Sequence, residues 1–309
     1  MPSFSGKFQY QNPEGSTAQS GACQVTFEAE TFTLTPATRS PIALDLGDID
    51  LFSPGEYELT LTLYTGKRLV LSQFGKAFQD LTHDLLEAYR QRLVQCLLLE
   101  DLEEITRFDG FAQFRSQASP ERSFSSPAEF RLYRSNLAVL PTQATGMQWR
   151  LAEIDKVAFD EAAYTLTLKA DEDSLVLTKL AKRTGEFRER LEAGIAEIHE
   201  KAAQTLHDLF PFLTPDQFQQ AAALMKEGQA VSLGRLQAVH PKLQQALVQN
   251  VVDAKLKPYF DALLTHTPTG AMFTGFKFIR EVEEDSKESE AVVEEISATA
   301  NEFEQSGPE

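Results

Sequence analysis

The chain has 309 residues, 42% of them hydrophobic and 24% charged, which sets a prior of two or three domains with real apolar cores. A net charge of −17 repels phosphates and argues against nucleic acid as a partner, leaving only a local basic patch as a route to an anionic membrane. No apolar run approaches the roughly 18 residues of a membrane span, and the first twenty residues contain no signal-peptide core.

In chain order, residues 1–21 read as an N-terminal segment and residues 22–115 as a first domain. Its short stretches alternate with period two, as in "YELTLTL", where Tyr57, Leu59, Leu61 and Leu63 share a face. Gly and Pro punctuate the turns, as in "SPGE" at 53–56 and "TGKR" at 65–68, the second presenting Lys67 and Arg68 at a hairpin tip. One long helix follows, with Phe78, Leu81, Leu85, Tyr89 and Leu93 on its apolar stripe. The polar, Ser- and Pro-containing stretch 116–127, "SQASPERSFSSP", reads as a semi-flexible linker.

Residues 128–210 repeat the pattern. With a shift of 105, Val25 falls on Phe130, Leu34 on Val139, Pro36 on Pro141, Leu44 on Trp149, Ile49 on Ile154 and Leu61 on Leu166. One extra residue in the second hairpin turn moves the shift to 106, which places Leu71 on Leu177, Leu81 on Phe187 and Leu85 on Leu191. A shift held this long marks a duplicated domain. About six strands and one C-terminal helix per copy predict an α+β fold of two small β-barrels, each capped by its helix. The exposed hairpin tips diverge, from Lys67-Arg68 in copy one to Asp171-Glu172-Asp173 in copy two.

Residues 211–280 read as a helical subdomain with a terminal strand: Thr214 and Pro215 open a helix, Gly228 stops it, and "GAMFTGFKFIREV" alternates. Residues 281–309 carry eleven Asp/Glu against Lys287 alone and read as a disordered acidic tail. Three stretches rhyme, "FSGKFQY" at 4–10, "FDGFAQF" at 108–114 and "FTGFKFI" at 273–279; they read as docking strands that pair with a sheet edge, as an aromatic recognition patch or, the reading we favour, as aromatic staples flanking the domains.

The search for chemistry finds no nucleophile elbow, phosphate loop or dinucleotide turn, and the five histidines form no HExxH or HxxxH pair. The two cysteines, Cys23 and Cys96, form no CxxC pair, which points to a reducing, cytoplasmic setting. The expectation is a protein that is not an enzyme and uses no cofactor or metal. The densest basic cluster, Lys179, Lys182, Arg183, Arg188 and Arg190, opens the helix of copy two and could hold an anion or a partner there.

The hairpin, the Gly turn, "LDLGDIDLF" and "LVLSQFGKAFQDLTHDLLEAYR" resemble bacterial pleckstrin-homology-like (PH-like, GRAM-like) domains over residues 22–105 and 126–207. The resemblance implies a binding platform without chemistry of its own, an adaptor whose protein partner engages the groove beside each long helix and the edge strands by β-augmentation. Membrane lipid is the partner usually associated with such folds, but the loops that serve it offer Arg39 alone in copy one and Arg150 alone in copy two. Paired PH-like modules with acidic tails are also similar to a group of eukaryotic histone chaperones, which implies, as an alternative, a basic DNA-associated protein as partner.

Overall fold

A computed structural model describes residues 3–28, 30–180, 183–251, 257–268 and 271–277. The chain divides into two compact units, residues 1–222 and 223–309. The first holds two seven-stranded antiparallel sheets and long helices, an α+β arrangement consistent with tandem PH-like domains.

Sheet one comprises β1 (Ser3–Gln11), β2 (Thr17–Glu28), β3 (Thr31–Pro36), β4 (Ile42–Asp45), β5 (Ile49–Pro54), β6 (Glu58–Leu63) and β7 (Arg68–Ser72), followed by α1 (Phe78–Cys96). The hydrogen-bonded order is β4-β3-β2-β1-β7-β6-β5. Strands β4 and β5 lie at opposite ends of that order, yet only Leu46–Asp48 separate them in sequence. The sheet must therefore curl until its ends meet, which encloses a core and shortens its open edges. Asp45 holds the joint by accepting from the Gly47 N–H at 2.6 Å.

Sheet two repeats the order with β8 (Glu104–Ser116), β9 (Phe124–Tyr133), β10 (Asn136–Pro141), β11 (Met147–Arg150), β12 (Lys156–Asp160), β13 (Thr165–Ala170) and β14 (Asp173–Thr178), followed by α2 (Thr184–Leu209). Each copy has seven strands, one more than the sequence pattern suggests. The extra strands are the two segments read as flanks. Residues 3–11 lie between β2 and β7 in the middle of sheet one, and residues 104–116, which the sequence reading gave to the first domain, lie between β9 and β14 in sheet two. Residues 116–127 are likewise no linker between domains. They hold the β8–β9 hairpin connection, with Phe114 opposite Phe124.

The registers confirm the duplication and correct one step of it. Val25 pairs with Leu34 as Phe130 does with Val139, and Phe8 pairs with Leu71 as Ala112 does with Leu177. In the hairpin, however, Leu59 pairs with Leu71, whereas the residue opposite Leu177 is Leu166. The partner of Leu166 in the repeat is therefore Leu59 and not Leu61. The β5–β6 turn is two residues longer in copy two, since Pro54 pairs with Leu59 and Phe159 with Leu166, and the β6–β7 turn is one residue shorter. A slip of two residues keeps every leucine on its own face, so alternation alone cannot detect it.

The rhyming glycines follow from the same register. An added Cβ on Gly6 would meet the Phe74 ring at 2.6 Å, and one on Gly110 would meet the Thr178 carbonyl at 2.7 Å and Leu180 at 2.9 Å. In both copies the corner between the last strand and the helix presses onto the first strand, and only Gly leaves room. Gln73 and Lys179 turn these equivalent corners with φ of 60° each.

Helix α1 packs against both copies. Leu81, Leu85 and Tyr89 face its own sheet, while Tyr133, Ala138 and Leu140 of copy two complete the same buried cluster. The Phe52 N–H donates to the Thr142 carbonyl at 2.7 Å across the two copies. Charges fasten the contact: Arg90 bonds Glu129 at 3.1 Å and Asp109 at 3.0 Å, and buried Arg131 shares Glu129. The copies are thus joined as one packed body.

Helix α3 (Pro215–Leu224) opens on a reciprocal cap, Gln217 N–H to Thr214 Oγ1 at 3.4 Å and Thr214 N–H to Gln217 Oε1 at 3.2 Å. The second unit contains α4 (Leu233–Val239), α5 (Lys242–Val251), α6 (Lys257–His266) and a two-stranded ribbon of β15 (Val231–Ser232) and β16 (Phe273–Thr274). The expected terminal strand is confined to those two residues among the ones described. The acidic tail, 281–309, lies outside the described residues.

Candidate interaction surfaces

Within the basic cluster predicted at the start of α2, Arg183 and Arg190 share the Glu186 carboxylate, at 3.8 Å and 3.0 Å. The Lys179 ammonium sits 4.8 Å from the centre of the Phe111 ring, and the Arg183 guanidinium 4.2 Å from that of Phe108. Arg190 bonds Glu186 at 3.0 Å and donates to the Ile105 carbonyl at 3.2 Å. Arg188 bonds Glu192 at 2.9 Å and covers the Phe159 ring at 5.4 Å. Lys182 lies outside the described residues. The three arginines pair with Glu186 or Glu192 within one helical turn and Lys179 lies on a ring, all at the exposed surface.

The hairpin tip of copy one is also partly engaged, since Lys67 lies over the Tyr10 ring at 5.8 Å while Arg68 is exposed. In copy two the exposed tip is tied to the start of the preceding strand, with the Asp171 N–H donating to the Asp155 carboxylate at 2.9 Å. A cleft of about 710 Å³ opens beside the β7–α1 corner of copy one, lined by Glu56, Tyr57, Gln73, Phe74 and Lys76.

The groove between the edge strand and the helix differs most between the copies. In copy one it runs beside β5 and α1, and the chain itself fills it. Thr142 takes the outward N–H of Phe52, Leu93 packs toward Gly146, and Phe52 stacks on Tyr89 with ring centres 5.8 Å apart. Alternate N–H groups of a strand point to opposite sides, so the next outward position on β5 is Pro54, which has no N–H. Copy one's edge is therefore closed twice.

In copy two the equivalent strand is β12, where Val157 stands for Phe52 and Phe159 for Pro54. Both outward positions keep an N–H. Val157 and Phe159 are half-buried against the core of copy two and Ala158 is exposed. The helix face that would line the groove has changed character. Leu93 and Val94 of α1 are buried, whereas their counterparts His199 and Glu200 are exposed. Sequence reasoning had named both grooves; what it missed is that one of them is occupied from within.

Burial and hydrogen bonding perturb titration in copy one. Burial raises the Tyr89 phenol well above its usual range and pushes the Cys23 thiol up to about 11. The hydrogen bond from Arg92 holds the Asp45 carboxyl below the ordinary carboxylate range. Among the described residues, no group of three or more His, Cys, Asp or Glu is placed to hold a metal ion, and no helix is long and apolar enough to cross a membrane.

No protein-family model matches the chain, and no curated protein matches it in sequence. Solved structures do resemble it. The C-terminal domain of an unknown protein from Leishmania infantum is 12% identical over 36% of this chain and 98% of its own, at a TM-score of 0.29. The pleckstrin homology domain of USP37 is 19% identical over 29% of this chain and 97% of its own, at 0.25. The Spt16D–Pob3N heterodimer is 10% identical over 55% of this chain and 84% of the matched chain, at 0.20. At these scores the fold assignment rests on the strand order and registers above.

Proposed function

We propose that the chain is a protein-interaction module without enzymatic activity, and that its external partner is an extended peptide that adds to β12 beside α2. The observation that carries this reading is the occupied groove of copy one, where a backbone carbonyl takes the Phe52 N–H and apolar side chains rest on α1. That contact supplies, within one chain, the elements of strand-edge recognition: a main-chain bond to the edge and helix-side contacts for selectivity. Copy two keeps the edge donors and lacks Pro54's block. The exposed carboxylates and rings beside the four described members of the cluster favour the peptide reading over the lipid one.

The test is selection of peptides from a random displayed library on the full chain, followed by titration of the best binders. Phe159→Pro copies the block that Pro54 provides in copy one. Binders should lose at least about tenfold on that variant, the cost of a lost buried hydrogen bond and its neighbours. Equal affinity for wild type and Phe159→Pro would remove β12 as the site.

A further inference from the structure

The helix wall of the copy-two groove differs from its counterpart in charge as well as in exposure. Three contacts lay α2 along the edge of that copy. The Arg188 guanidinium lies 5.4 Å from the centre of the Phe159 ring, an added Cβ on Gly194 would meet Leu151 at 3.1 Å, and His199 Nε2 stands 3.4 Å from the Ala152 carbonyl. Helix residues 188 to 199 thus run beside the chain from Phe159 back to Ala152, which contains β12. Next to the buried stripe of Phe187, Leu191 and Ile195, the helix surface presents Glu192, Ala196 and Glu200, spaced four apart in one row.

The same row on α1 is Leu86, Arg90 and Val94. Leu86 and Val94 pack in the buried cluster that Tyr133 and Leu140 complete, and Arg90 between them reaches across to Glu129 and Asp109. In copy one, then, the helix brings the base and its cover brings the acids. Copy two reverses this: Ala196 stands in place of the arginine, and Glu192 and Glu200 in place of the apolar pair. Arg188 precedes Glu192 by four and bonds it at 2.9 Å, so the row reads cation, anion, gap, anion. Ala196 and Glu200 are exposed, and among the described residues no ion pair to Glu200 forms.

We infer that the peptide added to β12 carries a lysine or arginine that fills this gap, its stem over Ala196 and its charged head between Glu192 and Glu200. The inference rests on the strand-addition reading above and names the side chain that the groove selects. Neighbours four apart on a helix have Cβ atoms about 6 Å from one another, so a cation over Ala196 has a carboxylate one turn away on either side. A methyl side chain leaves the floor low enough for the aliphatic stem of a basic residue to lie along it while the head stays wet. An acidic residue at the same place would meet two like charges. The net charge of −17 draws basic peptides from a distance in the same sense.

The experiment is the library selection described above, run in parallel on the full wild-type chain and on Ala196→Arg, which restores the arginine of copy one. Wild-type binders should share a lysine or arginine at one position. Exchanging it for norleucine should raise the dissociation constant about fivefold, and the loss should shrink in roughly 1 M salt, where screening acts within about 3 Å. Glu200→Lys should weaken the same binders by a similar factor. Selection on Ala196→Arg should instead favour an acidic residue at that position, as Glu129 serves Arg90 in copy one. Both substituted positions are exposed, and circular dichroism verifies that each variant is folded. Binders that fail on Phe159→Pro yet show no basic preference, or that Glu200→Lys leaves unchanged, overturn the inference while the strand-addition reading stands. Basic binders that tolerate Phe159→Pro but weaken on Glu200→Lys do the reverse, keeping the basic side chain on α2 and removing β12.

Discussion

The outer face of β9–β10 and the outer face of β2–β3 are the same piece of the duplicated fold, and they live in different solvents. On β9, Glu129 and Arg131 are buried under α1, with Leu140 and Ala138 beside them on β10. At the equivalent positions on β2, Gln24 is exposed and Thr26 half-exposed. The difference teaches that duplication kept the inward-facing residues and rebuilt one outward face as an interface. The price of that interface is a pair of buried arginines around one carboxylate.

The comparison breaks most sharply at Glu129. Glu129→Ala leaves Arg90 and Arg131 buried without their shared partner and should cost about 3–5 kcal/mol in urea unfolding. Gln24→Ala at the equivalent exposed position should change stability by less than about 0.5 kcal/mol. Equal small effects would mean that water reaches the β9 face. Next in size is the second face of α1. Leu93→Ala empties a site closed from both copies and should cost about 2–4 kcal/mol, whereas His199→Ala at its counterpart should be nearly neutral.

The smallest effect concerns acid. Asp45 accepts from Arg92 at 3.0 Å through both oxygens, while copy two has Arg150 in its place and Ile198 in place of Arg92. A carboxyl with a depressed folded pKa adds stability that is complete above its unfolded value of roughly 3.9 and disappears as the pH falls through the folded value. Asp45 is 41% exposed, so screening limits the contribution to under about 1 kcal/mol. Stability curves of wild type and Asp45→Asn should therefore differ at pH 6 and draw together as the pH falls through the depressed folded value.

The sequence made the duplication legible because leucines and phenylalanines at alternate positions must face a core wherever they occur. It hid the two-residue slip at β6 for the same reason, since Leu59, Leu61 and Leu63 are interchangeable to a pattern of period two. The flanks were misassigned because aromatics around a Gly look like staples. They are strands whose Gly admits a corner of the chain, a contact between residues some 70 positions apart that no local pattern encodes. In "EFRLY", Glu129 and Arg131 alternate with the core residues Phe130 and Leu132. Nothing in that string distinguishes an outward face in water from one lying under a neighbouring helix, so the filled groove of copy one, and with it the contrast between the two edges, could be read only from the structure.

The double duty of α1 bears on how the chain is made. Its second face is closed by β9 and β10, which follow it in sequence, so a ribosome releases the completed first sheet and helix before their cover exists. During that interval Leu93 and Val94 stand beside an edge strand with Phe52's N–H untaken. Synthesis proceeds at about 5–20 residues per second, so this exposed intermediate persists for seconds on every nascent chain. A gene fragment ending at Leu102 would make that state permanent, and its product should be the aggregation-prone half of an otherwise stable pair.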